Sequence, residues 1–405
     1  MDPYLMEWGG LLLRWAHVIT GIAWIGSSFY FMHLDASLRA VPDIPAGKGG
    51  ATWEVHGGGF YEVKKYLEAP KHLPEEMIWH KWQSYSTWIT GFFLLVWVYY
   101  AQSELYLIDP AVRELSPLVA SAIGLLSLAI GWAAYDGLCR SPLAKNEKGL
   151  ALAVFVLIVG MAYGFQQIFS GRGAMIHIGA VMGTIMTANV FMIIIPGQKK
   201  VIAALMAGQS PDPTLGKRAK IRSTHNNYIT LPVVFLMLSN HYPLTWSTPY
   251  GYVIVGLVLI AGAAVRHFYN VRHASGRDLW WTWVAAALCI WTAIWISLSA
   301  SPQGRERLGL APLVEPALAA TLPQAPAPVV EIITSRCSMC HAREPVWASI
   351  AIAPKGVLLD SPEHIARQKS AIRMHSVMTH SMPPNNLTGM TLEERRTLAL
   401  WVNQK

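Results

Sequence analysis

The chain has 405 residues, 53% of them hydrophobic and only 14% charged, where an ordinary soluble chain is about 25% charged. That balance excludes a soluble multidomain enzyme for most of the length. The formal net charge of +8 would suggest nucleic acid on a soluble protein, but membrane topology accounts for it, and no nucleic-acid partner is expected.

A membrane-spanning helix needs roughly 20 apolar residues. Segments 10–34, 84–105, 116–138, 150–170, 174–196, 224–240, 249–267 and 279–300 qualify. The sixth is the weakest. It opens on Thr224-His225-Asn226-Asn227 and contains Pro232, which predicts a kinked or partly unwound helix. Lys and Arg sort onto alternate loops. Six lie between spans one and two, three between three and four, six between five and six and two between seven and eight, whereas the intervening loops carry Arg113, Arg172 and none. The positive-inside rule puts the basic loops in the cytoplasm and both the N-terminus and everything after span eight outside. The first apolar stretch is too long for a cleavable signal peptide and is read as an anchor.

Residues 301–328 include six prolines and read as an extended Ala/Pro-rich linker. Residues 329–405 are normally polar, with helices expected near 329–342, 361–379 and 391–404. Within them lies Cys337-Ser338-Met339-Cys340-His341, the c-type haem attachment pattern. Cys337 and Cys340 are spaced for thioethers to two vinyl groups, and His341 reaches the iron. A second axial ligand is expected downstream, where a thioether sulfur would raise the potential. Met374, Met378, Met382, Met390, His375 and His380 are candidates. Met382 is chosen because Met382-Pro383-Pro384 lies in a loop between helical segments. A zinc site would need two more ligands at suitable spacing, and a disulfide across one helical turn has poor geometry. The fold class is therefore all-α: a polytopic membrane bundle (1–300), a linker (301–328) and a small class I-like cytochrome c domain (329–405).

Ionisable groups at membrane depth are costly and usually functional. His17 and His177 both fall in the outer halves of their spans, at what sequence position suggests is similar depth. They are candidate ligands of an intramembrane haem b, with Arg14 and Arg172 placed to meet propionates. The alternative is two hydrogen-bonded interfacial histidines. His33, His80, His225 and His267 form a second group near inner ends. The densest polar run at a membrane boundary is Arg222-Ser223-Thr224-His225-Asn226-Asn227-Tyr228-Ile229-Thr230. His225, Asn226, Asn227 and Thr230 suit a planar, heteroatom-rich molecule, and Arg222 suits an anion. The competing explanation is a polar helix start capped by Thr224 or Asn226. Gly57-Gly58-Gly59 lacks the context and the lysine of a phosphate-binding loop.

Several motifs occur in one family's order: Leu13-Arg14-Trp15-Ala16-His17 through Gly26, the helix from His177-Ile178-Gly179-Ala180 to Asn189-Val190-Phe191, His225-Asn226-Asn227-Tyr228 continuing to Asn240-His241-Tyr242-Pro243, and Cys337 to His341 with Met382-Pro383. Over essentially its entire length the chain resembles the bacterial membrane-bound urate oxidase family with a fused cytochrome c domain. The first span alone is similar to that of membrane protoporphyrinogen oxidases. The urate oxidase resemblance implies oxidation of urate to 5-hydroxyisourate in purine degradation, without peroxide. It also implies electron transfer from haem c to a soluble cytochrome c or a terminal oxidase. His225 would accept a proton while Asn226, Asn227 and Thr230 orient the ring. Two alternatives use the same haem c exit. One is a dehydrogenase of another small metabolite or of quinol; the other is a non-enzymatic membrane-anchored electron carrier.

Overall fold

The computed structural model describes residues 3–67, 74, 76–109, 112–300, 302–310, 324–347, 350, 352–378 and 380–403. Residues 311–323 of the expected linker lie outside the described residues. Each of the eight apolar segments falls on a long helix. They are α1 (Pro3–Ser37), α2 (Trp82–Leu95, extended by the wider turns of Val96–Tyr100), α3 (Pro117–Arg140), α4 (Glu147–Gln166), α5 (Gly171–Met206), α6 (Pro213–Ser239), α7 (Gly251–Ser275) and α8 (Trp281–Ser299). Five of these, α3, α4, α5, α7 and α8, are long and apolar enough to cross a membrane. The regular part of α2 is only 14 residues long, and α6 carries a polar first half.

Local chemistry sets the helix starts. Ser116, Asn146 and Ser170 cap α3, α4 and α5 by accepting backbone N–H bonds from Val119, Gly149 and Gly173, which satisfies donors that a helix start leaves open. Asp212 does the same for α6 through Thr214, with Pro213 at the first helical position. The 224–227 run is therefore not a helix start, and the expected cap at Thr224 or Asn226 is corrected: these polar residues sit in the middle of a continuous helix. Pro232 lies inside α6, where a Cβ on Gly262 of α7 would come within 2.5 Å of its ring. Close packing against α7 holds the helix at the position where the proline was expected to unwind it.

Helices α1 and α2 run antiparallel, as do α4 and α7. Trp97 Nε1 donates to the Met6 carbonyl at 3.0 Å, and Gln166 Nε2 to the Thr248 carbonyl at 3.5 Å. One end of the bundle is closed by the loop holding Trp246. The other end carries the feature that corrects the all-α reading, an antiparallel hairpin of β1 (Gly49–His56) and β2 (Gly59–Tyr66). Gly57 and Gly58 turn it at φ 59° and 81°, left-handed values that glycine adopts without penalty and that match the strand twist. Lys65 pairs with Asp35 at 2.5 Å, and Tyr30 donates to Glu54 at 2.6 Å, fastening the hairpin to the end of α1. The basic loops counted above emerge at this hairpin end.

The bundle core lies between α2, α3, α4, α5, α6 and α7 and includes Leu95, Leu128, Ile158, Ile178, Met182, Ile185, Leu236 and Val255. Outward faces expose Leu126, Ile130, Leu152, Val156, Leu288 and Trp291, as suits helices facing lipid. The C-terminal unit packs α9 (Ala327–Arg336), α10 (Ser338–His341), α11 (Pro362–Arg367), α12 (Lys369–Ile372, prolonged by Arg373–Met378) and α13 (Leu392–Val402) around Val329, Ile333, Ile365, Ile372, Leu398 and Trp401. Arg336 and Glu394, 3.0 Å apart, tie α9 to α13.

Trp246 joins the two units. A Cβ on Gly171, at the start of α5, would come within 2.5 Å of the Trp246 carbonyl, and one on Gly356 of the C-terminal unit within 2.7 Å of the Trp246 ring. Because the first of these clashes is with backbone, Gly171→Ala is expected to lower stability by about 1–3 kcal/mol. A reduced thermal midpoint of the detergent-solubilised protein is the readout, and an unchanged midpoint would show that the loop yields freely.

Candidate functional site

Polar chemistry is concentrated at the two ends of α5. At the Trp246 end, a cavity of about 550 Å³ opens between the bundle and the C-terminal unit. The C-terminal unit lines it with Cys337, Cys340, His341, His375 and Met382, and the bundle lines it with Tyr106, Arg172 and Trp246. His341 Nδ1 donates to the Val357 carbonyl at 2.9 Å, which leaves Nε2 as the lone-pair nitrogen. All four cysteines are free thiols. Burial pushes the Cys337 thiol up to about 12 and the His375 imidazole down to about 4, so at neutral pH both are uncharged. Met382 is held through its backbone, donating to the His375 carbonyl at 2.9 Å and accepting from Arg395 at 3.0 Å. Among the described residues no three His, Cys, Asp or Glu side chains gather as a metal cluster. The donor set is two thiols, an imidazole and a thioether around one hollow, which fits a covalently held porphyrin.

On the bundle side, Arg172 is buried at 6% exposure. Its guanidinium lies 4.5 Å from the Tyr106 ring centroid and 5.7 Å from that of Tyr99, and its Nε donates to Asn240 Oδ1. One turn further along α5, His177 is fully buried. It donates through Nδ1 to the Gly173 carbonyl at 2.8 Å, and its Nε2 lies 3.0 Å from the Tyr100 hydroxyl. The ring stacks on Phe169 at 4.8 Å, and Gly124 leaves room for it, since a Cβ there would come within 2.6 Å of Nε2.

His17 is placed elsewhere. It hydrogen-bonds the Thr87 carbonyl at 3.1 Å and Thr90 at 3.3 Å, against Gly91 of α2. Gly91 and Tyr100 are nine residues apart on α2, roughly 14 Å at a helical rise of about 1.5 Å per residue. The two histidines are thus not at one depth, which corrects that expectation. They do not fit as the two axial ligands of a single haem b. Arg14 sits near the Trp246 end, close enough to Lys355 of the C-terminal unit for its charge to act there.

The inner cluster lies at the other end of α5. Arg222, 2% exposed, pairs with Asp136 at 2.5 Å and donates to Asn189 Oδ1 at 3.2 Å. Asn189 Nδ2 donates to the Tyr135 hydroxyl at 3.1 Å and to Asn226 Oδ1 at 2.9 Å. The Tyr135 hydroxyl in turn lies 2.7 Å from His225 Nδ1. With that hydroxyl as the donor, the neutral His225 ring carries its proton on Nε2. His225 and Asn226 are therefore in one network. Asn227 is not: it lies on another face of α6 with Arg266 and Asn270. Thr230 bonds back to the Asn226 carbonyl at 2.7 Å. The four residues expected to form one site are divided between two faces. Asp136, Tyr135 and Asn189 were missed, although Asp136 is the one charged residue in the 116–138 segment, a signal that was there to be used.

Residues 3–297 match the family model described as Urate oxidase N-terminal. The chain belongs to this family. No curated protein and no solved structure matches it. The matched stretch of the urate oxidase family covers all eight long helices, so the inner cluster and the Arg172 wall of the cavity lie inside it. Cys337, Cys340, His341 and Met382 lie beyond it.

Breaking a buried ion pair strands the remaining charge at a cost of about 3–5 kcal/mol. Asp136→Ala is thus expected to destabilise far more than the double variant Asp136→Leu with Arg222→Met, measured by thermal unfolding. Equal losses would mean that Arg222 is solvated without its partner.

Proposed function

We propose that this chain is a membrane-embedded urate oxidase that passes its electrons to haem c. Urate and water give 5-hydroxyisourate, two protons and two electrons. Family membership supports urate as the substrate, and the cavity shared between the family-matched bundle and the C-terminal unit is the observation that carries the electron exit. Cys337 and Cys340 would form the thioethers, and His341 and Met382 would be the axial ligands. When bound, haem c supplies a one-electron acceptor at the Trp246 end. The C-terminal unit is accordingly a cytochrome c domain and the eight long helices are spans. The basic hairpin end is cytoplasmic, and the cavity faces the periplasm of a bacterial inner membrane, where a soluble cytochrome c or a terminal oxidase takes the electrons.

The inner cluster handles protons. Tyr135 donates to His225 Nδ1, so a proton released beside Tyr135 has an acceptor along that bond as the hydroxyl is reprotonated. Asn189 holds Tyr135 and Asn226 in place through its amide, and Asp136 neutralises Arg222. Asn227 and Thr230 take no part in this network. Asn189 and Arg172 are 17 residues apart on α5, roughly 26 Å at a rise of about 1.5 Å per residue. Electrons released at the inner cluster do not cross that distance in one tunnelling step. The reading therefore requires a relay, and His17 with His177 does not form it at one iron.

In isolated membranes, urate under anaerobic conditions is expected to reduce a covalently bound haem, and with oxygen present no peroxide should accumulate. Quinol serves as the comparison reductant. Cys337→Ala or Cys340→Ala should lose the normal two-thioether attachment, seen in the pyridine haemochrome spectrum. His225→Ala should slow urate-driven reduction about a hundredfold, in line with general-base contributions of about 10²–10⁴. Haem that stays oxidised with urate but is reduced by quinol would reject urate as the substrate. A wild-type protein without covalent haem would reject the exit.

A further inference from the structure

Two cations face the cavity from its two sides, Arg172 of α5 on the bundle wall and Lys355, in the turn before α11, on the C-terminal unit, and Arg14 of α1 lies close enough for its charge to act on Lys355. Arg172 is nearly fully buried and lines the hollow. Its Nε is committed to Asn240, and no carboxylate among the described residues lies within ion-pair distance of the guanidinium. Lys355 also lines the hollow and holds an unusual backbone, φ 58°, a left-handed conformation that a lysine keeps only where its surroundings enforce it. Burial lowers its ammonium from the ordinary value, and the charges of Arg172 and Arg14 lower it further. His241 is lowered by burial and by the charges of Arg172, Arg14 and Lys355. Glu104 and Asp109 are the acidic residues in the cavity lining.

Partly buried like charges repel unless an anion lies between them. The contrast with Arg222, which has its own carboxylate, shows that the bundle can neutralise a buried guanidinium internally. Here it does not. The planar fork of arginine matches a carboxylate through two parallel bonds, and the opposite wall of the same hollow carries Cys337, Cys340 and His341.

We propose that Arg172 and Lys355 are the binding site for the two propionate carboxylates of the porphyrin held by Cys337 and Cys340. The membrane bundle and the C-terminal unit would then build one haem site between them. This rests on the haem c assignment made above. Arg172 and Lys355 would act on the haem through its carboxylates and are positioning residues, which would tune its potential through their charge. Trp246, wedged against Gly171 and Gly356, holds the two walls in register.

The test is a redox titration of haem c in the detergent-solubilised full chain, with the pyridine haemochrome spectrum confirming covalent haem in every sample. Removing a positive charge beside the carboxylates favours the oxidised haem. Arg172→Gln is expected to raise the oxidised-to-reduced ratio at fixed ambient potential about tenfold, a fall of about 59 mV for a one-electron couple. Lys355→Gln should raise it about threefold. Arg172→Lys keeps the charge and loses the fork, and should fall between wild type and Arg172→Gln. Ratios within twofold of wild type in Arg172→Gln, with the haem in place, overturn the inference while leaving the haem c assignment intact. If Arg172→Gln does not accumulate, an unmoved potential in Lys355→Gln overturns it. A potential that follows added inorganic phosphate would assign the cations to a dissociable anion and also overturn it. Absence of covalent haem from the wild-type protein overturns both readings.

Discussion

A guanidinium inside an apolar bundle must find compensation, and three buried arginines meet that demand in three ways. Taking an ion out of water costs several kcal/mol even after relaxation. Arg222 recovers this through Asp136, bringing α3 and α6 together beside Asn189 of α5. Arg266 of α7 lies 4.1 Å from the Phe29 ring centroid of α1 and donates to Asn227 of α6. Arg172 lies over two tyrosine rings and donates to Asn240. A desolvated cation–π contact is worth about 2 kcal/mol and a hydrogen bond to a charged group about 1.5–3 kcal/mol. The second and third arrangements therefore offset the cost less fully than the first, which is why Arg172 remains open to an anionic ligand whereas Arg222 is already neutralised.

α5 carries both ends, its Gly171–Ala188 stretch is largely buried by its neighbours, and small residues make that enclosure possible. Gly124 of α3 admits the His177 ring and Gly131 admits Val181, while Gly179 of α5 approaches Leu236 and Met237 of α6. Where lipid is as apolar as the side chains, close approach of helices through small residues and interhelical hydrogen bonds replaces the hydrophobic drive of a soluble core. The same packing fixes the tautomer of His177, whose Nδ1 is tied to its own helix, and aligns Asn189 between Tyr135 and Asn226.

Length and apolarity made the eight helices legible, because each long run has only a helix as a way to satisfy its backbone in lipid. Composition did not reveal the hairpin, since Gly49 to Tyr66 mixes charged and aromatic residues without clean alternation and is held to α1 by ion pairs that no local pattern encodes. The start of α6 was misplaced because the polarity of Thr224 to Asn227 looked like a boundary. His225, Asn226 and Asn227 are polar where α3, α5 and α7 face them, a tertiary fact. The equal depth assigned to His17 and His177 failed for a related reason: counting from the first apolar residue ignores how far each helix extends beyond it, and α1 begins at Pro3. The Cys337 to His341 spacing needed no tertiary information to point to a porphyrin. The opposite wall did, because Arg172 is more than 150 residues away in sequence.

Separating the inner cluster from the cavity along α5 has an electrical consequence in the proposed reaction. Protons released beside Tyr135 and His225 stay at the basic, cytoplasmic end, while the two electrons leave at the Trp246 end. Carrying one elementary charge across the full membrane potential corresponds to about 2.3 kcal/mol per 100 mV, and with the interior negative an electron moves outward downhill. Urate oxidation coupled to this exit is therefore driven forward by the existing potential and partly dissipates it. That makes the step harder to reverse, and it favours a catalytic arrangement whose proton acceptor and electron exit lie at opposite ends of one buried helix.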